Sequence, residues 1–166
     1  MAKAVKPIPE GYRSVTPNLA CRNASAAIDF YKKVFGAVVK LQMAGSDGKV
    51  MHAELQIGDS IIFVGEPMSK VTVPSDPSDP SVTNPTTMYL YVEDVDAVFN
   101  RAVAAGARAD FPVQDMFWGD RHGRITDPYG QQWGIATHVK DVTPEELKRG
   151  QEAMFAKMSA KTAGHS

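Results

Sequence analysis

The 166-residue sequence has a single cysteine, so no disulfide can close within the chain. Cys21 has no Cys or His companion at metal-finger spacing and no base beside it in sequence. A reduced thiol in a cytoplasmic setting is the expectation. Long apolar runs are also missing: no window approaches the roughly 18 apolar residues of a membrane span. Residues 1–13 carry charges but no apolar segment of the secretory kind. Nor is there an excess of one charge, since 18 Lys+Arg face 19 Asp+Glu for a net charge of -1. Nucleic acid and anionic membranes are therefore poor partners on electrostatic grounds. What is present is ordinary for a globular chain, 43% hydrophobic and 22% charged, enough to bury a core. The length predicts one domain over residues 1–166.

Residues 1–12 lack periodicity and read as an arm. A strand is predicted over 14–21. Asn23 then offers a helix cap, and Ala27, Phe30, Tyr31, Val34 and Phe35 recur at three-and-four spacing until Gly36. Extended segments follow at 37–43, 49–57 and 60–65, separated by Gly45-Ser46-Asp47-Gly48 and Gly58-Asp59. A Pro-rich linker at 67–86 interrupts the pattern, which then starts again. A strand at 87–92, a helix stripe of Val95, Val98, Phe99, Ala102 and Val103 ended by Gly106, and strands near 109–116, 120–126 and 132–138 complete it. Gly36 superposes on Gly106 at an offset of 70, so the chain is an internal duplication of modules 13–66 and 87–139. Thr143-Pro144-Glu145-Glu146 is a capping box with proline at the first helical position, predicting a C-terminal helix over 143–160.

Two β-α-β-β-β modules in tandem resemble the vicinal oxygen chelate superfamily, which includes glyoxalase I, bleomycin-resistance proteins and extradiol dioxygenases. The most specific match is Phe117-Trp118-Gly119-Asp120-Arg121-His122-Gly123 followed by the segment 125–133, Ile-Thr-Asp-Pro-Tyr-Gly-Gln-Gln-Trp, which is similar to the PhnB-like branch. Asp29-Phe30-Tyr31 ending at Phe35-Gly36 fits as well. The resemblance implies an α+β fold in which tandem βαβββ modules form a curled mixed sheet around a cleft, with the C-terminal helix added. It also implies a small-molecule ligand in that cleft and a homodimer. Metal-dependent members place one ligand on the first and one on the last strand of each module, which map here to about Thr16, Phe63, Thr87 and Gly134. None is a histidine or a carboxylate, whereas a divalent ion needs about four to six donors including anionic or imidazole ones. The expectation is therefore no metal and no cofactor.

Strand alternation selects the side chains that share the cleft. In 51–57 the apolar Met51, Ala53, Leu55 and Ile57 go to the core, and His52, Glu54 and Gln56 go to the other face. Met88, Leu90 and Val92 pack on the helix and leave Thr87, Tyr89 and Tyr91 in the cavity; Leu19 is core and Asn18 cleft; Trp133 and Ile135 are core and Gln132 and Gly134 cleft. His52 and Glu54, about 7 Å apart on one strand face, are the catalytic candidates, as an acid/base pair or metal donors; a simple polar pair is the alternative. Asp120, His122 and Arg124 alternate on one face, where they could complete a non-standard metal site with His52, although two histidines on separate strands are a weak basis for one. Arg121 is either an anion-binding guanidinium or a structural ion pair with Asp120 or Asp127. Trp118 is either a stacking platform for a planar ligand or a core residue. The candidate ligand-binding set is Asn18, His52, Glu54, Phe63, Tyr89, Tyr91, Trp118, Arg121 and Gln132.

Three functions compete. One is metal-independent binding of a small planar or aromatic drug or metabolite, in the manner of bleomycin-resistance proteins. Another is a metal-dependent lyase, isomerase or dioxygenase using His52 and Glu54. The third is a structural or regulatory subunit that docks through its C-terminal helix. Binding is favoured, because the aromatic lining is present and the expected metal donors are not; whether any reaction is catalysed stays open.

Overall fold

A computed structural model describes residues 6–67 and 84–163, the side chains of 161–163 excepted, so most of the linker placed at 67–86 lies outside the described residues. The first module comprises β1 (Asn18–Ala20), α1 (Ala24–Phe35), β2 (Val38–Ala44), β3 (Val50–Ile57) and β4 (Ser60–Gly65). The second comprises β5 (Thr87–Tyr91), α2 (Val95–Ala104), β6 (Arg108–Asp115), β7 (Asp120–Thr126) and β8 (Gln132–His138), and α3 (Pro144–Ala163) follows. The fold is α+β, with two mixed four-stranded sheets, β1-β4-β3-β2 and β5-β8-β7-β6, of identical order. In each, the first strand runs parallel to the last and the other pairs are antiparallel.

The helices form where short polar side chains can satisfy their first amides. Asn23 accepts from Ala26 N–H at 3.2 Å and adopts φ 59°, a left-handed conformation that asparagine tolerates. Asp94 does the same for Ala97 N–H at 2.9 Å. The helices bury most of the predicted stripes, Ala27, Phe30, Tyr31 and Val34 on α1 and Val95, Val98, Phe99 and Ala102 on α2, while Phe35 is only partly buried and Val103 is 40% exposed. These join Leu19, Leu55, Val64, Ile125, Trp133 and Ile135 in one hydrophobic cluster that crosses both modules.

Asp127 ties the modules together. Its carboxylate, 1% exposed, accepts from the Tyr31 hydroxyl at 2.8 Å, Trp133 Nε1 at 2.9 Å and the backbone amides of Tyr129 and Gln131 at 2.9 Å. Burial raises this carboxyl against the pull of those donors.

Three expectations are corrected. The first strand is three residues rather than eight, because Pro17 lacks an amide and only its carbonyl is used, accepting from Phe63 N–H at 2.8 Å. Met51 is 39% exposed instead of buried, and Val50 takes the core position at 2%. The cause is a bulge: Met43 pairs His52 but Ala44 pairs Val50, which leaves Met51 outside the alternation. The C-terminal helix runs three residues past its predicted end. Its capping box is formed, Glu146 N–H bonding Thr143 Oγ1 at 3.2 Å and Thr143 N–H bonding Glu146 Oε2 at 2.8 Å.

Candidate functional site

Pairing aligns the open face of the second sheet in rows. One row is Tyr89, Gly134, Arg124 and Phe111; the next is Tyr91, Ala136, His122 and Gln114. The first sheet repeats this arrangement with Asn18, Phe63, Glu54 and Leu41, then Ala20, His52 and Met43. His52 and His122 thus occupy equivalent places, as do Glu54 and Arg124, both at the offset of 70.

Asp120 organises the second face. It is 3% exposed, and its Oδ2 accepts from the Tyr91 hydroxyl at 3.0 Å, the Tyr89 hydroxyl at 3.2 Å and Trp118 Nε1 at 3.2 Å. Its Oδ1 meets His138 Nδ1 at 2.9 Å, while His138 Nε2 meets Asp141 at 3.0 Å. Burial alone would raise the Asp120 carboxyl, but the bonds from His138, Tyr91, Tyr89 and Trp118 outweigh it and hold it below the ordinary carboxylate range. The partners shift in response: the bond to Asp120 and then that to Asp141 raise His138, and burial followed by the Asp120 charge pushes Tyr89 up to about 12. Trp118 reaches Asp120 through a turn at Gly119, whose φ is +96° and where a Cβ would come within 1.9 Å of the Lys140 carbonyl oxygen.

Above this anchor the rings pack on one another. Tyr89 and His122 stack at 5.3 Å with 1° between their planes, and Phe111 and Trp118 lie 5.9 and 6.3 Å from the imidazole. Gly134 makes the stack possible, because a Cβ there would approach Tyr89 to 3.0 Å and His122 to 3.1 Å. His122 is lowered from the usual histidine value, first by burial and then by Arg124, and its Nδ1 is buried without a hydrogen-bond partner among the described residues.

On the first sheet Glu54 accepts from the Tyr12 hydroxyl and lies 3.3 Å from His52 Nε2. The Tyr12 bond is the main cause of its lowered carboxyl, with His52 adding to it. His52 stands edge-on to Phe63 at 4.8 Å. A cavity of about 400 Å³ opens here among Pro7, Ile8, Tyr12, Arg13, Glu54 and Phe63.

The structure therefore brings Tyr89, Tyr91 and Trp118 together on one face, and His52, Glu54, Phe63 and exposed Asn18 on the other. Gln132 lies at the rim, accepting from Thr87 Oγ1 at 3.1 Å. Arg121 does not join them. It points to the opposite side of β7, where Nε and Nη2 grip both carboxylate oxygens of Asp96 on α2 at 2.7 and 2.8 Å and Nη1 meets Asp115 at 3.0 Å. Its neighbours Asp120 and His122 take the open face, so alternation alone would have placed Arg121 with the helix. Neither expected partner, Asp120 or Asp127, is used. Cys21 is fully buried and burial pushes its thiol up to about 12.

Tyr12 and His138 had no place among the sequence candidates. Tyr12 lies in a stretch without periodicity, and the link from His138 to Asp120 depends on the β7–β8 register.

A family model described as the Glyoxalase/Bleomycin resistance protein/Dioxygenase superfamily matches residues 13–135. The chain belongs to this superfamily. The uncharacterized protein Rv0887c of Mycobacterium tuberculosis is 35% identical over 136 residues, 81% of this chain and 80% of that protein. The putative glyoxylase CFP32 of the same species is 32% identical over 128 residues, covering 75% of this chain but 46% of its own length. Among solved structures, TioX from Micromonospora sp. ML1 is 30% identical with a TM-score of 0.59, covering 75% of this chain and 97% of that one. A Bacillus cereus PhnB protein, described as a putative 3-demethylubiquinone-9 3-methyltransferase, shares the fold at 19% identity and TM-score 0.59, covering 75% and 99%.

Metal-dependent members of the superfamily invite a test of the donor set. The register seats Asn18 beside Phe63 and Tyr89 beside Gly134, two residues along from Thr16 and Thr87. Phe63 and Gly134 carry no side-chain donor, and among the described residues no three His, Cys, Asp or Glu side chains converge. These residues do not fit a divalent ion, which draws on carboxylates, imidazoles or thiolates.

Proposed function

We propose that the protein binds a small planar ligand on the aromatic face of its second sheet, without a metal, as a cytoplasmic homodimer of the PhnB-like branch. The observation that carries this reading is the Asp120 cluster. One buried carboxylate holds two tyrosines and a tryptophan in fixed orientation on an open sheet face. Such ordering is costly unless the exposed rings are used, since Tyr89 and Tyr91 remain 47% and 60% exposed. Pre-set aromatic surfaces recognise flat ligands by stacking, at little further entropic cost. The Phe117-Trp118-Gly119-Asp120 segment supports the PhnB-like assignment, and the lone, buried thiol is consistent with a reducing compartment.

Tryptophan emission tests this directly. Trp133 is 2% exposed and belongs to the core, so quenching by a planar ligand reports on Trp118. Saturable quenching by members of a library of flat aromatic compounds, absent in Trp118→Phe, is the expected result. Absence of quenching across the library would count against the reading.

A second reading rests on the 3.3 Å contact between His52 and Glu54 and on the likeness to a putative glyoxylase: a metal-dependent lyase, isomerase or dioxygenase. Elemental analysis of untagged protein after incubation with nickel, zinc, manganese and iron separates the two. A stoichiometric ion that survives dialysis, and is lost in His52→Ala, would replace the metal-free reading.

A further inference from the structure

The charges on the two open faces are not equally occupied. Asp120 already accepts four bonds, and Glu54 is held by Tyr12 and His52. Arg108 is tied to Asp110 and Thr126, and His138 lies between Asp120 and Asp141. Arg124 differs. It is exposed on a central strand and its guanidinium makes no hydrogen bond or ion pair with any described residue, although Glu54 fills the equivalent place on the first sheet. Its cross-strand neighbour is Gly134, over which Tyr89 and His122 are stacked, so the free guanidinium borders the aromatic floor. Beside it His122 has no hydrogen-bond partner among the described residues, which leaves an imidazole whose polar capacity the chain does not use.

We infer that the ligand is an anionic aromatic, a planar ring bearing a carboxylate or an equivalent oxyanion, with the charge on Arg124 and the ring on the floor of Tyr89, Tyr91 and Trp118. A guanidinium suits a planar oxyanion because its fork offers two parallel N–H donors. The carboxylates of these faces, Glu54 and Asp120, already accept from donors of the chain itself, which leaves the guanidinium as the charge with no such partner among the described residues. The inference rests on the proposed binding function and narrows it to one ligand class.

Calorimetric titration of the full chain with three probes of one shape is the test: 1-naphthoate, neutral 1-naphthamide and the (1-naphthylmethyl)ammonium cation. Naphthoate is expected to bind tightest and to weaken as salt is raised, the amide weakly, and the ammonium least. Arg124→Gln should weaken naphthoate by about ten- to a hundredfold and leave the amide unchanged, while Arg124→Lys recovers part of the loss. Because Arg124 is exposed, neither substitution threatens folding, which the amide affinity checks. Amide or ammonium binding as tightly as naphthoate would overturn the anionic assignment and leave the aromatic cleft standing; no binding by any probe would overturn both. An Arg124→Gln protein with altered association state and unchanged naphthoate affinity would assign the guanidinium to a protein contact, and the inference would fall.

Discussion

Asp120 shows how one side chain can gather into one cluster residues that sequence separates by about thirty positions. Its hydrogen bonds to charged and neutral donors are each worth on the order of 1–2 kcal/mol net, and removing the charge leaves the donors around a weaker acceptor. Asp120→Asn should therefore cost about 2 kcal/mol in urea unfolding and shift the Trp118 emission, while the core Trp133 remains unaffected. The pH dependence has two limbs. Folding lowers the Asp120 carboxyl, so its contribution is present above the ordinary aspartate value near ~3.9 and disappears as pH falls through the lower, folded value. Folding raises His138, so that contribution is complete below the ordinary histidine value near ~6.5 and is lost as pH rises through the higher, folded value. The melting temperature should decline as pH is taken from 6 to 9, and His138→Gln should flatten that decline. A decline that survives the substitution would remove His138 from the cluster.

At the scale of elements, the duplication was legible because glycine, proline and periodicity are local signals. Gly36 ends α1 with φ 67°, Gly106 follows α2 with φ 102°, and the turn signals at 45–48, 58–59 and 127–130 all separate strands in the structure. Alternation placed Tyr89, Tyr91, His52 and Glu54 on their faces for the same reason. It failed at Met51, where a bulge breaks the two-residue period, and it could not name the partner of Arg121, because a strand's sequence says nothing about which helix covers it. The capping box announced α3 but not its packing. Leu147, Phe155 and Met158 are 41%, 53% and 58% exposed, and none of the helix's described side chains belongs to the core cluster. It meets the body where Gly150 approaches Phe117, a Cβ there coming within 2.6 Å, and through the surface bond from Lys140 Nζ to Glu146 Oε1 at 2.8 Å. Deleting residues 143–166 is accordingly expected to cost about 1 kcal/mol or less, a melting shift of about 4 °C or less. A fall beyond about 10 °C would make α3 part of the folding unit.

The whole molecule presents two curled sheets whose open faces are incomplete as cleft walls. On the first, Val38, Leu41 and Met43 are 59%, 44% and 55% exposed along β2, which is an edge strand. On the second, Tyr89 and Tyr91 stand equally open. Contiguous apolar surface of this kind is covered in stable proteins, and a monomer has nothing among its described residues to cover it. A second copy would cover it if, because the modules repeat, a two-fold axis set the first sheet of one chain opposite the second sheet of its partner, twice over. That arrangement would enclose the aromatic floor between walls from different chains. Ligand affinity would then depend on association. Sedimentation equilibrium should give twice the 18.0 kDa of the chain. Leu41→Lys with Met43→Lys, both on exposed positions of the edge strand, should yield a folded monomer by circular dichroism that has lost the Trp118 quenching response. Quenching retained in that monomer would place the whole cleft within one chain, and a wild-type protein that sediments as a monomer would remove the dimer altogether.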